Sequence, residues 1–280
     1  MARAKSSVPT LFNSFGSSLA AFWLIALAVC ALLYPILPFQ DPDISDFEAI
    51  ATGPSLVHWL GTDEIGRDML ARTISAARIS LQVGFLAIAF ASMVGGLIGL
   101  CAGYFRGRLD KVLMTANDVL LSFPGLIFVI AIVAIFGATS FNVVIALGTV
   151  FVPSFARVSR AATLTFAARP FVTAAKSMGA NHRQIIFGEL APNVSLSVLA
   201  YALTAISTAI LAEGGLSFLG LSVPPPAATW GGMIVSGKEV LADAPHIVLF
   251  PSIAMFLTVL SFNTLGDKFR KLLDGRESQL

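Results

Sequence analysis

Charge is what this sequence has least of. Only 12% of its 280 residues are Asp, Glu, Lys or Arg, about half the share of a soluble globular domain. With 16 acids and 18 bases it cannot clothe a soluble fold of this length, which excludes an ordinary soluble enzyme. A net charge of +2, without a dominant basic cluster, excludes a nucleic-acid-binding surface. Disorder is excluded too, because 56% of the residues are apolar and disordered chains are poor in them. Cysteine is nearly absent. Cys30 and Cys101 both lie in apolar runs, so they read as small buried hydrophobes rather than a disulfide framework. Histidine occurs at 58, 182 and 246 only, with no clustering that suits a metal.

Long apolar runs are what the sequence has instead, and its mean hydropathy is +0.83. Six runs, at 17–37, 82–104, 112–136, 139–160, 192–213 and 247–266, each approach the roughly 20 residues that cross about 30 Å of hydrocarbon. The first follows Arg3 and Lys5, and Ala26-Leu27-Ala28 looks like a cleavage site. The run is longer than a signal-peptide core. In the lipid-box-like Leu27-Ala28-Val29-Cys30, Val29 stands where a small residue is needed. The run therefore reads as a retained anchor.

Placing both termini inside puts most of the 18 bases on the inner face. They are Arg3 and Lys5; Arg106, Arg108 and Lys111; Arg157, Arg160, Arg169, Lys176 and Arg183; and Lys268, Arg270, Lys271 and Arg276. Arg67, Arg72, Arg78 and Lys238 remain outside. The positive-inside rule favours this orientation. The first outer loop is then long and acidic, with Asp41, Asp43, Asp46, Glu48, Asp63, Glu64 and Asp68, and Pro38, Pro42 and Pro54 break up its beginning. Ile65, Leu70, Ile74 and Ile79 predict an amphipathic helix over 64–80, lying on or near the membrane. The inner stretch 161–191 is too small for a catalytic domain. It predicts two short helices, broken near Pro170 and ended near Pro192.

Two motifs imitate chemistry. Residues Gly232 to Glu239 nearly spell a phosphate loop, but Glu239 replaces the magnesium-holding hydroxyl and no strand precedes it. Gly215-Leu216-Ser217-Phe218 resembles an intramembrane serine protease, with His246 as the conceivable base. Gly95, Gly99 and Gly103 form a small-residue face for close helix packing. Asp118 is a charge inside the third run, a turn and a half before Pro124. It either pairs with a base such as Arg106, Arg108 or Lys111 or faces a water-filled path.

In Phe171-Val172-Thr173-Ala174-Ala175-Lys176-Ser177-Met178-Gly179, Ala175 and Gly179 are one helical turn apart. The stretch resembles the coupling segment of ABC importer permeases, whose pattern is Glu-Ala-Ala, three residues, Gly, then Leu-Pro about ten residues on. Ala174, Ala175, Gly179 and Pro192 match, whereas Thr173 replaces the Glu and Ala191 the Leu. The resemblance covers about residues 55–275 and is to the dipeptide/oligopeptide/nickel branch. It runs through His58-Trp59-Leu60-Gly61-Thr62-Asp63-Glu64-Ile65-Gly66-Arg67-Asp68, Ala76 to Leu81, Asp118 to Gly125, Leu211 to Leu221, Trp230-Gly231 and Phe262 to Asp267.

The resemblance implies an all-α polytopic membrane protein with six transmembrane helices and the type I ABC importer permease fold. Residues 1–80 would form an anchor helix and outer loop, and 81–280 a five-helix core with coupling helices near 161–191. It implies no catalytic residue and no cofactor in this chain, ATP and magnesium belonging to partners. Those partners would be a second, different permease subunit, two cytoplasmic ATPase subunits and an extracytoplasmic substrate-binding protein, in a bacterial inner membrane. Thr173, Ala174, Ala175, Lys176, Gly179, Arg183 and Pro192 would couple to the ATPases. The outer loop, with His58, Gly61, Thr62, Asp63, Gly66, Arg67 and Asp68, would dock the binding protein unless Asp63–Arg67 or Asp68–Arg72 pairs merely hold it together. Short peptides are the expected cargo, nickel or another small solute the alternative, and a serine hydrolase using Ser217 the remote one.

Overall fold

The computed structural model describes residues 15–34, 36 and 39–277; Arg3, Lys5 and Pro38 lie outside them. In chain order the helices are α1 (Phe15–Leu33), α2 (Met69–Phe105), α3 (Gly107–Ser122), α4 (Gly125–Phe136), α5 (Ser140–Ala167), α6 (Pro170–Ser177), α7 (His182–Gln184), α8 (Ala191–Phe218), α9 (Trp230–Ser236) and α10 (His246–Glu277). A π-helical segment, Ile185–Leu190, joins α7 to α8. No strand occurs among the described residues, only isolated bridges between Ser45 and Arg67 and between Thr62 and Asp68. Five helical stretches there are long and apolar enough to cross a bilayer, and the bent pair α3–α4 makes six if it counts as one crossing.

The third run is where Pro124 acts most strongly. Proline lacks an N–H and pushes its predecessor out of the helical region. Phe123 is extended, with ψ 131°, and the chain turns by 81° between α3 and α4. Pro124 thus makes a sharp break in the third run.

Two expectations need correction. The amphipathic helix over 64–80 is instead the first third of α2. Asp68 caps it, its carboxylate accepting from the Ala71 N–H at 2.8 Å, and the helix runs unbroken to Phe105. Its buried face is made of Met69, Ala71, Thr73, Ala76 and Ala77, whereas Ile65 is exposed. Small residues let this helix enter the bundle, so the isoleucine spacing misled. Pro192 does not end the inner helix either. The π register lets the Ala191 N–H reach the Ile186 carbonyl, and Pro192 sits in the first turn of α8, where its missing N–H costs little.

The α2–α5 seam is the tightest contact in the bundle. A Cβ on Gly95 or Gly99 would overlap the Val152 or Ala156 carbonyl, and one on Gly103 would lie 2.7 Å from Thr163 Cβ. The Ser159 hydroxyl donates across the seam to the Gly96 carbonyl at 2.7 Å. At the basic end, Leu100 of α2, Val172 and Ala175 of α6, Ile185, Ile186 and Leu190 of the π segment and Val194 of α8 form one buried cluster.

Candidate functional site

The helix α6 begins with Pro170 at its first turn. It ends at Gly179, whose φ of +83° suits glycine and lets the Ala180 N–H close back on the Ala175 carbonyl at 3.0 Å. Val172 and Ala175 face the protein's own core. Thr173, Ala174, Lys176, Ser177, Met178 and Gly179 are exposed. Ala175 thus holds the helix to the bundle, and the small outward surface belongs to Ala174 and Gly179. Asn181 and Gln184 then cap α7 reciprocally, leaving Arg183 exposed. His182 Nδ1 meets the Tyr104 hydroxyl of α2 at 2.8 Å, and Lys176 Nζ stands 5.5 Å from the centre of the Tyr104 ring. An exposed helix is thereby pinned to the end of a long span.

Asp118 pairs with Arg157 of α5 at 2.7 Å, both side chains mostly exposed. The partner is none of the three nearby bases the sequence suggested. The second contact between these helices is Asp110 with Arg160, two parallel bonds of 2.5 and 2.6 Å. Next to Asp118 the Asn117 amide donates to the Pro153 carbonyl at 3.0 Å.

At the other end the loop 39–68 folds on its own polar groups. Asp63 accepts from the Ile65 and Arg67 N–H groups at 3.1 and 2.9 Å and from Arg67 Nε at 2.7 Å. Arg72 Nε lies 3.4 Å from the same carboxylate. The Arg72 guanidinium also donates to the Pro42 carbonyl at 2.9 Å and to Asp43 at 3.3 Å. The Asp63–Arg67 pair is therefore present, whereas Asp68 engages His58 at 3.0 Å and not Arg72. Gly61 and Gly66 take φ of +77° and +82°, and Thr62 is buried with its hydroxyl on the Ala49 carbonyl. Beside them Glu64 keeps one buried oxygen without a partner. Burial, and then the Asp63 charge, push its carboxyl above the ordinary range.

The two imitations of chemistry dissolve in the same geometry. His246 Nε2 meets the Thr62 carbonyl at 3.0 Å. Ser217 instead donates to Glu213 at 3.0 Å and faces Thr229 at 3.3 Å, and none of its hydrogen bonds goes to His246, the base the sequence suggested. Residues 230–236 form a short helix capped by Thr229 rather than a phosphate loop.

Sequence reasoning missed Glu213 as a structural centre. It is 1% exposed, and hydroxyls of Ser80, Ser217 and Ser222 converge on it. Ser80 also accepts from the Trp230 N–H at 3.2 Å. An acid inside an apolar run, followed by serines at the fourth and ninth positions, was the available signal.

Residues 95–279 match the family described as binding-protein-dependent transport system inner membrane component. A glutathione transport system permease protein from Pectobacterium atrosepticum is 39% identical over 255 residues, covering 91% of this chain and 85% of that protein. The same permease from Escherichia coli is 39% identical over 258 residues, covering 92% and 85%. Among solved structures, an inward-facing MetNI methionine ABC transporter chain superposes with a TM-score of 0.61 at 16% identity, covering 73% of this chain and 97% of that one. The likeness in fold is to type I ABC importer permeases.

Proposed function

The chain belongs to the family of binding-protein-dependent transport system inner membrane components, and from that premise we propose that it forms, with a second permease subunit, the path by which an ATP-driven importer admits short peptides. It is a permease subunit of an ABC importer, a transport component rather than an enzyme. Glutathione transport by the relatives supports a peptide-type cargo. Two cytoplasmic ATPase subunits work it from the basic end, the side on which the positive-inside rule puts both termini. ATP and magnesium stay with those subunits. The outer loop receives the binding protein.

The observation that carries this reading is α6. Its outer face is exposed, while its inner face is built into a cluster that also contains residues of α2, the π segment and α8. A subunit that grips Thr173, Ala174, Lys176 and Gly179 therefore pushes on several long helices together. Arg183 and Pro192, exposed on the following segment, extend the grip. Such a push switches the bundle only if the contacts differ in free energy between the ATPase states.

Replacing Gly179 by Trp tests the coupling, because it fills the outward face and forbids the helix stop. ATPase subunits should no longer co-purify, and uptake of labelled glutathione or dipeptides into proteoliposomes should stop. Normal co-purification with normal uptake contradicts the coupling role. Competition between glutathione, dipeptides and nickel chelates in the wild-type system identifies the cargo class.

A further inference from the structure

We propose that Leu56, Val57 and Trp59 are the contact surface for the binding protein, and that the polar residues of the same loop only hold this surface in place. The proposal rests on the permease reading above. These are among the most exposed large apolar side chains, at 97%, 69% and 67%. Between them His58 is 5% exposed. It is fixed by Asp68 at 3.0 Å, and its N–H and carbonyl close a turn with Ser55 at 3.0 and 2.8 Å. A pinned turn that displays apolar groups loses little entropy on binding.

Lipid does not cover this surface. The apolar run of α2 starts near residue 82, and the helix starts at Met69. The twelve or so residues between, with Arg72, Thr73, Ser75 and Arg78 among them, rise about 18 Å. Even at a tilt of about 40° they rise about 14 Å, whereas the headgroup layer on one side is about 5–8 Å thick. Val57 and Trp59 lie beside the helix start, sharing a cleft with Asp68 and Leu70. With Phe39, Gln40, Asp68 and Leu70 they line an open cleft of about 260 Å³. The cleft gives a partner side chain somewhere to insert.

The surroundings select the partner. Asp41, Asp43, Asp46 and Glu48 of the same loop are exposed, with exposed Ile44 and Phe47 between them. The loop's single arginine between 39 and 68, Arg67, is tied to Asp63. Exposed apolar groups on an acidic loop suit a protein that arrives and leaves, steered by charge. A permanent subunit interface is larger and more apolar. The fitting occupant is a binding protein whose docking face carries apolar side chains together with Lys and Arg.

The test uses the full transporter, with both permeases and its ATPases, in nanodiscs, and the purified binding protein. Trp59→Ala, and separately Leu56→Ser, should weaken binding-protein affinity by about tenfold or more, with ATPase subunits still co-purifying. Asp46→Asn with Glu48→Gln should flatten the loss of affinity between about 50 and about 300 mM salt. A photo-crosslinker in place of Leu56 should label the binding protein. Affinities within about twofold of wild type, or crosslinks to the second permease or to lipid, overturn the assignment. Failure of the permease reading itself would look different, because the wild-type chain would then recruit neither ATPases nor binding protein.

Discussion

Single residues in this bundle are decided by their partners. Glu64 illustrates it in the loop. Its carboxyl is pushed up by burial and by Asp63, so the native state holds this proton more tightly than the unfolded chain does. Stability from this group is full below its ordinary value of 4.5 and is lost as pH rises through the raised value. Glu64→Gln should therefore raise the melting temperature at neutral pH and leave it unchanged below that ordinary value, as thermal unfolding in detergent across pH would show. The two ion pairs between α3 and α5 contrast in the same way. Asp118 and Arg157 are 60% and 58% exposed, so Asp118→Asn should cost only about 0–1 kcal/mol. Asp110→Asn should cost more, since it breaks a two-bond fork to Arg160. A double-mutant cycle with Arg157 and Arg160 measures both. Neither pairing was legible in the sequence. Arg157 lies 39 residues from Asp118, and only the folding of α5 against α3 selects it over the nearer bases.

At the scale of elements, the seam between α2 and α5 depends on missing side chains. Gly99→Val should lower stability by about 1–3 kcal/mol or more, because the added carbons meet the Ala156 carbonyl. Gly96→Val should be nearly harmless, since nothing lies within 4 Å of a Cβ there. Thermal aggregation followed by size-exclusion chromatography separates the two. The glycine spacing was readable because close packing needs a repeat of four along one face. The six apolar runs were readable for an equally local reason, each run being its own signal. The start of α2 was not, because alanines and Met69 bury its face while the isoleucines suggested another. Glu213 stayed hidden because, although Ser217 and Ser222 are near in sequence, Ser80 lies 133 positions away and reaches it only in the folded chain.

The whole molecule has no engine of its own in the reading proposed here. Reconstituted alone in liposomes it should move no peptide, and adding both ATPase subunits with the second permease should restore uptake; radiolabelled cargo distinguishes these outcomes. Reporters fused after residue 180 and after residue 240 should report opposite sides of the membrane. The exposed outer face of α6 was only half legible, since the small-residue spacing indicated a docking helix but not that Ala175 turns inward. Two of its helical stretches, Met69–Phe105 and His182–Phe218, each have 37 residues, about 55 Å. They are joined near one end through Ser80 and Glu213 and at the other through the cluster of Leu100, Ile185 and Val194. Two equal struts fastened to each other at both ends behave as one rigid lever. A swing of about 5° over that length carries the far tip about 5 Å, so a shove delivered on one side of the bilayer arrives on the other as displacement of comparable size, without any strut having to bend.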